Sequence, residues 1–112
     1  MDRALAALFG SQTAARVLLF IQNYGEGYAG RIASTFDTPY TGVRRQLERM
    51  EAEGILVSRE IGRTRVFTWN PRSPTVKNLR EFLEAELAGL SEDTIRQYFR
   101  QRQRPRRTGK AL

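Results

Sequence analysis

Neither cysteine nor histidine occurs in these 112 residues. Disulfides, thiol nucleophiles, Cys/His zinc sites and histidine-based triads are therefore excluded. No acidic cluster suits an all-carboxylate metal site, so no metal and no other cofactor is expected. Membrane-length apolar stretches are missing too. The most strongly apolar run is Val17–Ile21, against the roughly 20 residues that a spanning helix needs. The N-terminus lacks the apolar stretch of a signal peptide. The expectation is a cytoplasmic chain that makes no membrane contact. The length suits one domain, and 40% apolar content fills one modest core rather than a large enzyme with a deep cleft.

Charge is plentiful but unevenly placed. The net charge is +7. Residues 1–95 hold twelve basic and twelve acidic side chains, whereas residues 96–112 hold seven basic ones and no acid. The basic character thus belongs to a tail, which suits nucleic acid or an acidic partner. Arginine favours bidentate contacts to phosphate and guanine.

Apolar spacing and caps give the order of elements. Leu5, Leu8 and Phe9 suggest a short amphipathic helix broken by Gly10. Ser11 caps a helix over 13–23 that Gly25 stops. Gly25-Glu26-Gly27-Tyr28-Ala29-Gly30 fits the dinucleotide pattern G-x-G-x-x-G, but that motif needs a buried strand in front. A helix precedes it here, so it reads as a turn.

Residues 30–36 form a short helix with Ile32, Ala33 and Phe36 inward, and Asp37 breaks it in a left-handed turn. Thr38 is expected as cap and Pro39 as the first position of the next helix, 39–53. Val43, Leu47 and Met50 are its buried stripe. Residues 55–60 and 65–69 are strands joined by Ile61-Gly62-Arg63-Thr64. Phe67 and Trp69 read as core. Asn70 to Pro74 break the pattern, then come helices 75–88 and 91–102. Pro105 ends regular structure, and the remainder is expected to be disordered.

Helix, short helix, tight turn, helix and hairpin, in that order, resemble the winged helix-turn-helix regulators of the broad ArsR-like and MarR-like group. The matching residues are Ala33 and Val43, then Val43 through Leu56, and Gly62-Arg63-Thr64-Arg65. The resemblance covers roughly Ser11–Trp69. It implies a recognition helix over 39–53 and a wing tip at 61–65. The family usually has Gly where Asp37 stands, and Ser or Thr where Gly42 stands. Its metal sensors use Cys and His ligands, which are absent, so metal sensing does not carry over.

The fold class expected is α+β: mainly helical, with a small β-hairpin wing and two additional C-terminal helices. The expected organisation is a DNA-binding domain over 1–72, dimerisation helices over 73–102 and a basic tail over 103–112. A DNA reader needs a helix that is apolar on one side and cationic on the other. Thr38, Tyr40, Thr41, Arg44 and Arg45 occupy the first turns of the recognition helix. Arg44 and Arg45 suit guanine, and Arg49 suits phosphate. Arg63, Thr64 and Arg65 at the hairpin suit the backbone or the minor groove. By helical phase Tyr40 borders the buried side, so packing competes with a base contact. Arg44, Arg45 and Arg49 also have acidic neighbours for ordinary surface bridges.

Residues 31–72 carry eight Arg and five acids, whereas residues 73–93 carry two basic side chains and five acids. That segregation fits a DNA face and a non-DNA face. In the tail, Arg102, Arg104, Arg106 and Arg107 would add phosphate contacts.

Leu79, Phe82, Leu83 and Leu87, then Ile95, Tyr98 and Phe99, exceed what a small winged domain needs. A two-fold homodimer through them would set two recognition helices about 34 Å apart; the alternative is packing of the same stripes within one chain. The expected function is sequence-specific binding of double-stranded DNA by a homodimeric repressor. A winged interaction module for an acidic protein, or RNA binding through the same face, are the alternatives. An enzyme is not expected: the carboxylate pairs Glu51/Glu53, Glu84/Glu86 and Glu92/Asp93 mostly fall on polar helix faces.

Overall fold

A computed structural model describes residues 3–101. The expected phosphate contacts Arg102, Arg104, Arg106 and Arg107, and the tail 103–112, lie outside the described residues. Among the described residues, six helices and one hairpin occur in the order α1 (Arg3–Phe9), α2 (Gln12–Tyr24), α3 (Ala29–Phe36), α4 (Tyr40–Ala52), β1 (Leu56–Ile61), β2 (Thr64–Trp69), α5 (Pro74–Ala88) and α6 (Glu92–Tyr98).

The run Val17–Ile21 is buried on every side, which makes α2 the central helix of the core. The Ser11 hydroxyl accepts from the Ala14 N–H at 3.0 Å, and Gly25, left-handed at φ 87°, closes the helix. No single helix among the described residues is long and apolar enough to cross a membrane; α1 and α2 together approach that composition but bend by 98°.

Asp37 adopts φ 51° and sets the angle between α3 and α4. The Thr38 N–H donates to the Ala33 carbonyl at 3.0 Å, closing α3. This corrects the expected start of the recognition helix. Thr38 ends α3, Pro39 takes the cap position of α4, and Tyr40 is the first helical residue. Proline offers no side-chain acceptor, and α4 begins without a side-chain cap.

The hairpin pairs Leu56 with Trp69 through to Ile61 with Thr64. Its loop is only Gly62-Arg63, with Gly62 at φ 65°, the signature of a type II′ connection. Gly27 adds a third edge: it exchanges two backbone hydrogen bonds with Phe67, at 3.0 and 2.8 Å. At the wing base, the Asn70 side chain donates to the Gly54 carbonyl at 2.8 Å. Phe67 and Trp69 are core, as expected.

The last helix is shorter than expected, ending at Tyr98 rather than near residue 102. Side chains from α2 take its final carbonyls. Tyr24 Oη donates to the Tyr98 carbonyl at 2.7 Å, and Asn23 Nδ2 to the Phe99 carbonyl at 2.9 Å. Tyr98 stacks on Phe36 at 5.1 Å, and Phe99 meets the same ring edge-on at 6.0 Å.

This packing corrects the expected use of the C-terminal stripes. Leu83, Leu87 and Phe99 are buried within the chain, and Leu79, Ile95 and Tyr98 pack partly buried against the same core. Of the seven, Phe82 is left exposed, as is Leu8 of α1. The reason is geometric: α5 lies along α2, and α6 turns back over α2 and α3, so their apolar faces meet the chain's own core.

Candidate nucleic-acid interface

The three buried residues of α4, Val43, Leu47 and Met50, fix the helix against the core. They carry the stripe through two turns, so everything opposite it faces outward. Thr41, Arg44, Arg45, Glu48 and Arg49 are all exposed there. Tyr40 is 53% exposed. As the first residue of the helix it has no preceding turn over it, and its ring is not packed into the core.

An open groove of about 360 Å³ lies between the start of α3, α4 and the wing. It is lined by Tyr28, Ala29 and Gly30 on one side, Tyr40, Arg44 and Glu48 on the second, and Arg63, Thr64, Arg65 and Phe67 on the third. Five of the expected site residues therefore converge: Tyr40, Arg44, Arg63, Thr64 and Arg65. Thr41, Arg45 and Arg49 stand on the exposed face of α4 outside the groove lining, and Thr38 is half-buried in the α3–α4 turn.

The arginines differ in what already holds them. Arg44 pairs with Glu48 at 3.2 Å, an i,i+4 bridge with both partners more than half exposed. Such a bridge contributes only about 0.3–0.5 kcal/mol, less than the roughly 1–3 kcal/mol of a good guanine contact. Arg44 is thus oriented but available. Arg49 donates twice to Gln46 Oε1, at 3.0 and 2.8 Å. Arg65 donates to Ser58 Oγ at 2.9 Å and lies 3.7 Å from Glu60, while Ser58 donates to Glu51 at 2.6 Å. That chain ties the wing to the end of α4. Arg45 and Arg63 make no hydrogen bond or ion pair with any other described residue.

Sequence patterns mark Tyr28 and Gly30 only as parts of a turn. They reach the groove because the Gly27–Phe67 pairing draws the α2–α3 connection against β2, and no local pattern reports that pairing. Spacing marks Glu48 only as a bridging partner, yet it lines the groove itself.

A second groove, about 680 Å³, lies between α2, the end of β2 and α5. Lys77 and Arg80 share its lining with Glu81 and Glu84, so it offers no field of one sign. Among the described residues no three or more Cys, His, Asp or Glu side chains gather as a metal site.

No family model matches the sequence, and no curated protein matches it. Solved structures match its fold. Reduced HlyU from Vibrio cholerae is similar with a TM-score of 0.59 at 19% identity, over 74% of this chain and 86% of that one. A MarR-family transcriptional regulator from Rhodococcus gives 0.57 at 15% identity, over 84% and 73%. AntR, described as an antimony-specific transcriptional repressor, gives 0.53 at 16% identity, over 76% of each chain. The chain has the winged-helix fold, α+β, as its sequence led one to expect.

Proposed function

We propose that this protein is a DNA-binding transcription regulator. The observation that carries the reading is the convergence of Arg44, Arg63 and Arg65, from two separate elements, on one open groove beside the exposed face of α4. An α-helix fits the major groove of B-DNA. Arg44 and Arg45 on the outward face of α4 read guanine edges, and Arg49 holds a phosphate. The wing, with Arg63 at its tip, rests on the backbone or in the adjacent minor groove. That solved proteins of this fold are described as transcriptional regulators supports the same reading.

The protein acts as a homodimeric repressor, covering a promoter through two recognition helices on a palindromic site. The surface available for pairing is narrower than the sequence suggested. Leu8 is 66% and Phe82 38% exposed, and Phe82 meets the partly buried Phe9 edge-on at 6.3 Å. Phe9 and Phe82 bring α1 and α5 into apolar contact, and Leu8 and Leu79 lie on the same two helices.

The test is binding of the intact protein to its own upstream DNA and to scrambled duplex across a salt series. Preference for the upstream DNA, lost in an R44A/R45A variant, supports the reading. Equal and strongly salt-dependent binding to both means that the operator lies elsewhere or that charge alone drives association. Absence of binding at low salt overturns the reading in favour of a protein-interaction module.

A further inference from the structure

Glu48 stands among cations on the outward face of α4. Its side chain is 57% exposed, and it lines the groove together with Arg44, Arg63 and Arg65. The other acids nearby are engaged with the wing: Glu51 accepts from Ser58 at 2.6 Å, and Glu60 lies 3.7 Å from Arg65. Helix stability gives little reason for an acid at position 48. An i,i+4 ion pair favours a helix more when the acid precedes the base, and here Arg44 precedes Glu48.

The pair also leaves half of the carboxylate open. Arg44 Nη1 donates to Glu48 Oε2 at 3.2 Å, while Oε1 makes no hydrogen bond or ion pair with any other described residue. A carboxylate on a face that meets DNA needs a donor. Phosphates offer none and repel it. In the major groove guanine presents only acceptors, O6 and N7, and thymine presents the acceptor O4. Adenine sets its N6 amino group beside the acceptor N7. Cytosine presents its N4 amino group with no acceptor on the same base. Cytosine is therefore the edge that suits Glu48 best.

We propose that Glu48 is a specificity-determining residue whose Oε1 accepts from the N4 amino group of a cytosine, beside the guanine read by Arg44. The proposal rests on the DNA-binding reading above and adds to it a base and a residue outside the arginine set. One helical turn rises about 5.4 Å and one base step about 3.4 Å, so the cytosine lies within two base pairs of that guanine. The carboxylate acts in both directions. It gains a partner at cytosine, and it faces a repelling acceptor wherever guanine or thymine stands in that place.

In the experiment the full-length parent and its E48A, E48Q and R44A variants each enrich duplexes from one random pool. Positions 44 and 48 are both exposed, so all four proteins should share a thermal midpoint to within a few degrees. R44A marks the guanine position by losing it. The parent's preferred site is expected to carry cytosine within two base pairs of that guanine. With E48A, preference for cytosine over thymine there falls by about 5- to 100-fold in competition binding, while the guanine preference remains. With E48Q, adenine replaces cytosine, because an amide can accept from N6 and donate to N7.

A parent site without that cytosine overturns the proposal, as does a cytosine preference that survives E48A. Loss at the guanine alone in E48A would make Glu48 an orienting partner of Arg44 and not a reader. Cytosine lost in E48A with no gain of adenine in E48Q also overturns it, since the side chain then does not touch that base. An R44A variant with the parent's preferences does the same, because that guanine places the cytosine. If the intact chain enriches no sequence, the DNA-binding reading falls and the base assignment with it.

Discussion

Gly27 and Phe67 exchange both of their backbone hydrogen bonds, at 3.0 and 2.8 Å, although forty residues separate them. This pairing turns a two-stranded hairpin into a wing fastened to the helical core. It also explains the glycine. A Cβ at position 27 would stand 3.0 Å from Ile32 Cδ1 and from Phe20 Cδ1 and Cε1, and both of those side chains are fully buried.

Gly27→Ala is therefore expected to destabilise the fold by about 1–3 kcal/mol, the usual cost of overpacking. In a chain of this size each kcal/mol lowers the melting midpoint by about 4–8 °C. Thermal unfolding checks it, and a midpoint equal to the parent's would refute the close approach.

Gly42 is the opposite case. It sits inside α4, and a Cβ there meets nothing within 4 Å. Gly42→Ala should stabilise the protein by about 1 kcal/mol through helix propensity alone. Denaturant titration reads the change, and a destabilised variant would mean that the position carries a packing constraint after all.

Arg45 and Arg49 should separate in DNA binding. Arg45 has no partner among the described residues, whereas Arg49 is oriented by Gln46. On the proposed reading, Arg45→Ala lowers preferred-site binding by about 1–3 kcal/mol and relaxes discrimination at one base pair. Arg49→Ala weakens preferred and scrambled duplex alike. Competition binding with both duplexes distinguishes them; matched effects of the two variants would remove the assignment.

Tyr24→Phe keeps the ring, which lies 4.6 Å from Phe20, and removes two hydrogen bonds, to the Tyr98 carbonyl and from the Gln101 N–H. The expected cost is about 1–2 kcal/mol. Faster amide exchange should be confined to residues of α6. Uniformly faster exchange across all helices would show that the bonds hold the whole fold rather than its last element.

The dimer is tested at exposed apolar side chains of α1 and α5 rather than in the core. Leu8→Glu with Phe82→Glu changes two exposed side chains, so folding should survive. Sedimentation of the parent should report a dimer and that of the variant a monomer. A monomeric parent at every concentration would sink the two-fold model.

Much of the architecture is legible because it is written locally. Ser11 caps the helix it precedes, and Gly25 and Asp37 adopt the left-handed geometry their positions demand. The stripe Val43, Leu47, Met50 announces which face of α4 is buried, and so which face carries Arg44, Arg45 and Arg49. Expectation and structure part where two local signals compete. Thr38 is a good cap residue beside a proline, yet α4 starts one residue later, with Pro39 at the cap position, while Thr38 closes α3. They part again at the C-terminal stripes, because periodicity reveals an apolar face and not what covers it.

Spacing, caps and composition act over a few residues. They were enough for the types of element, their order, the exposed cationic face of α4 and the concentration of charge beyond residue 95. Other features came into being with the packed chain. Gly27 joins the wing, Leu83, Leu87 and Phe99 belong to the chain's own core, and Arg65 is tied back through Ser58. Gln101 is fastened to Tyr24, Arg31 and Thr35. Each of these depends on groups that are distant in sequence, or on different elements, meeting at hydrogen-bonding or packing distance, and that is fixed by how the helices stack around α2.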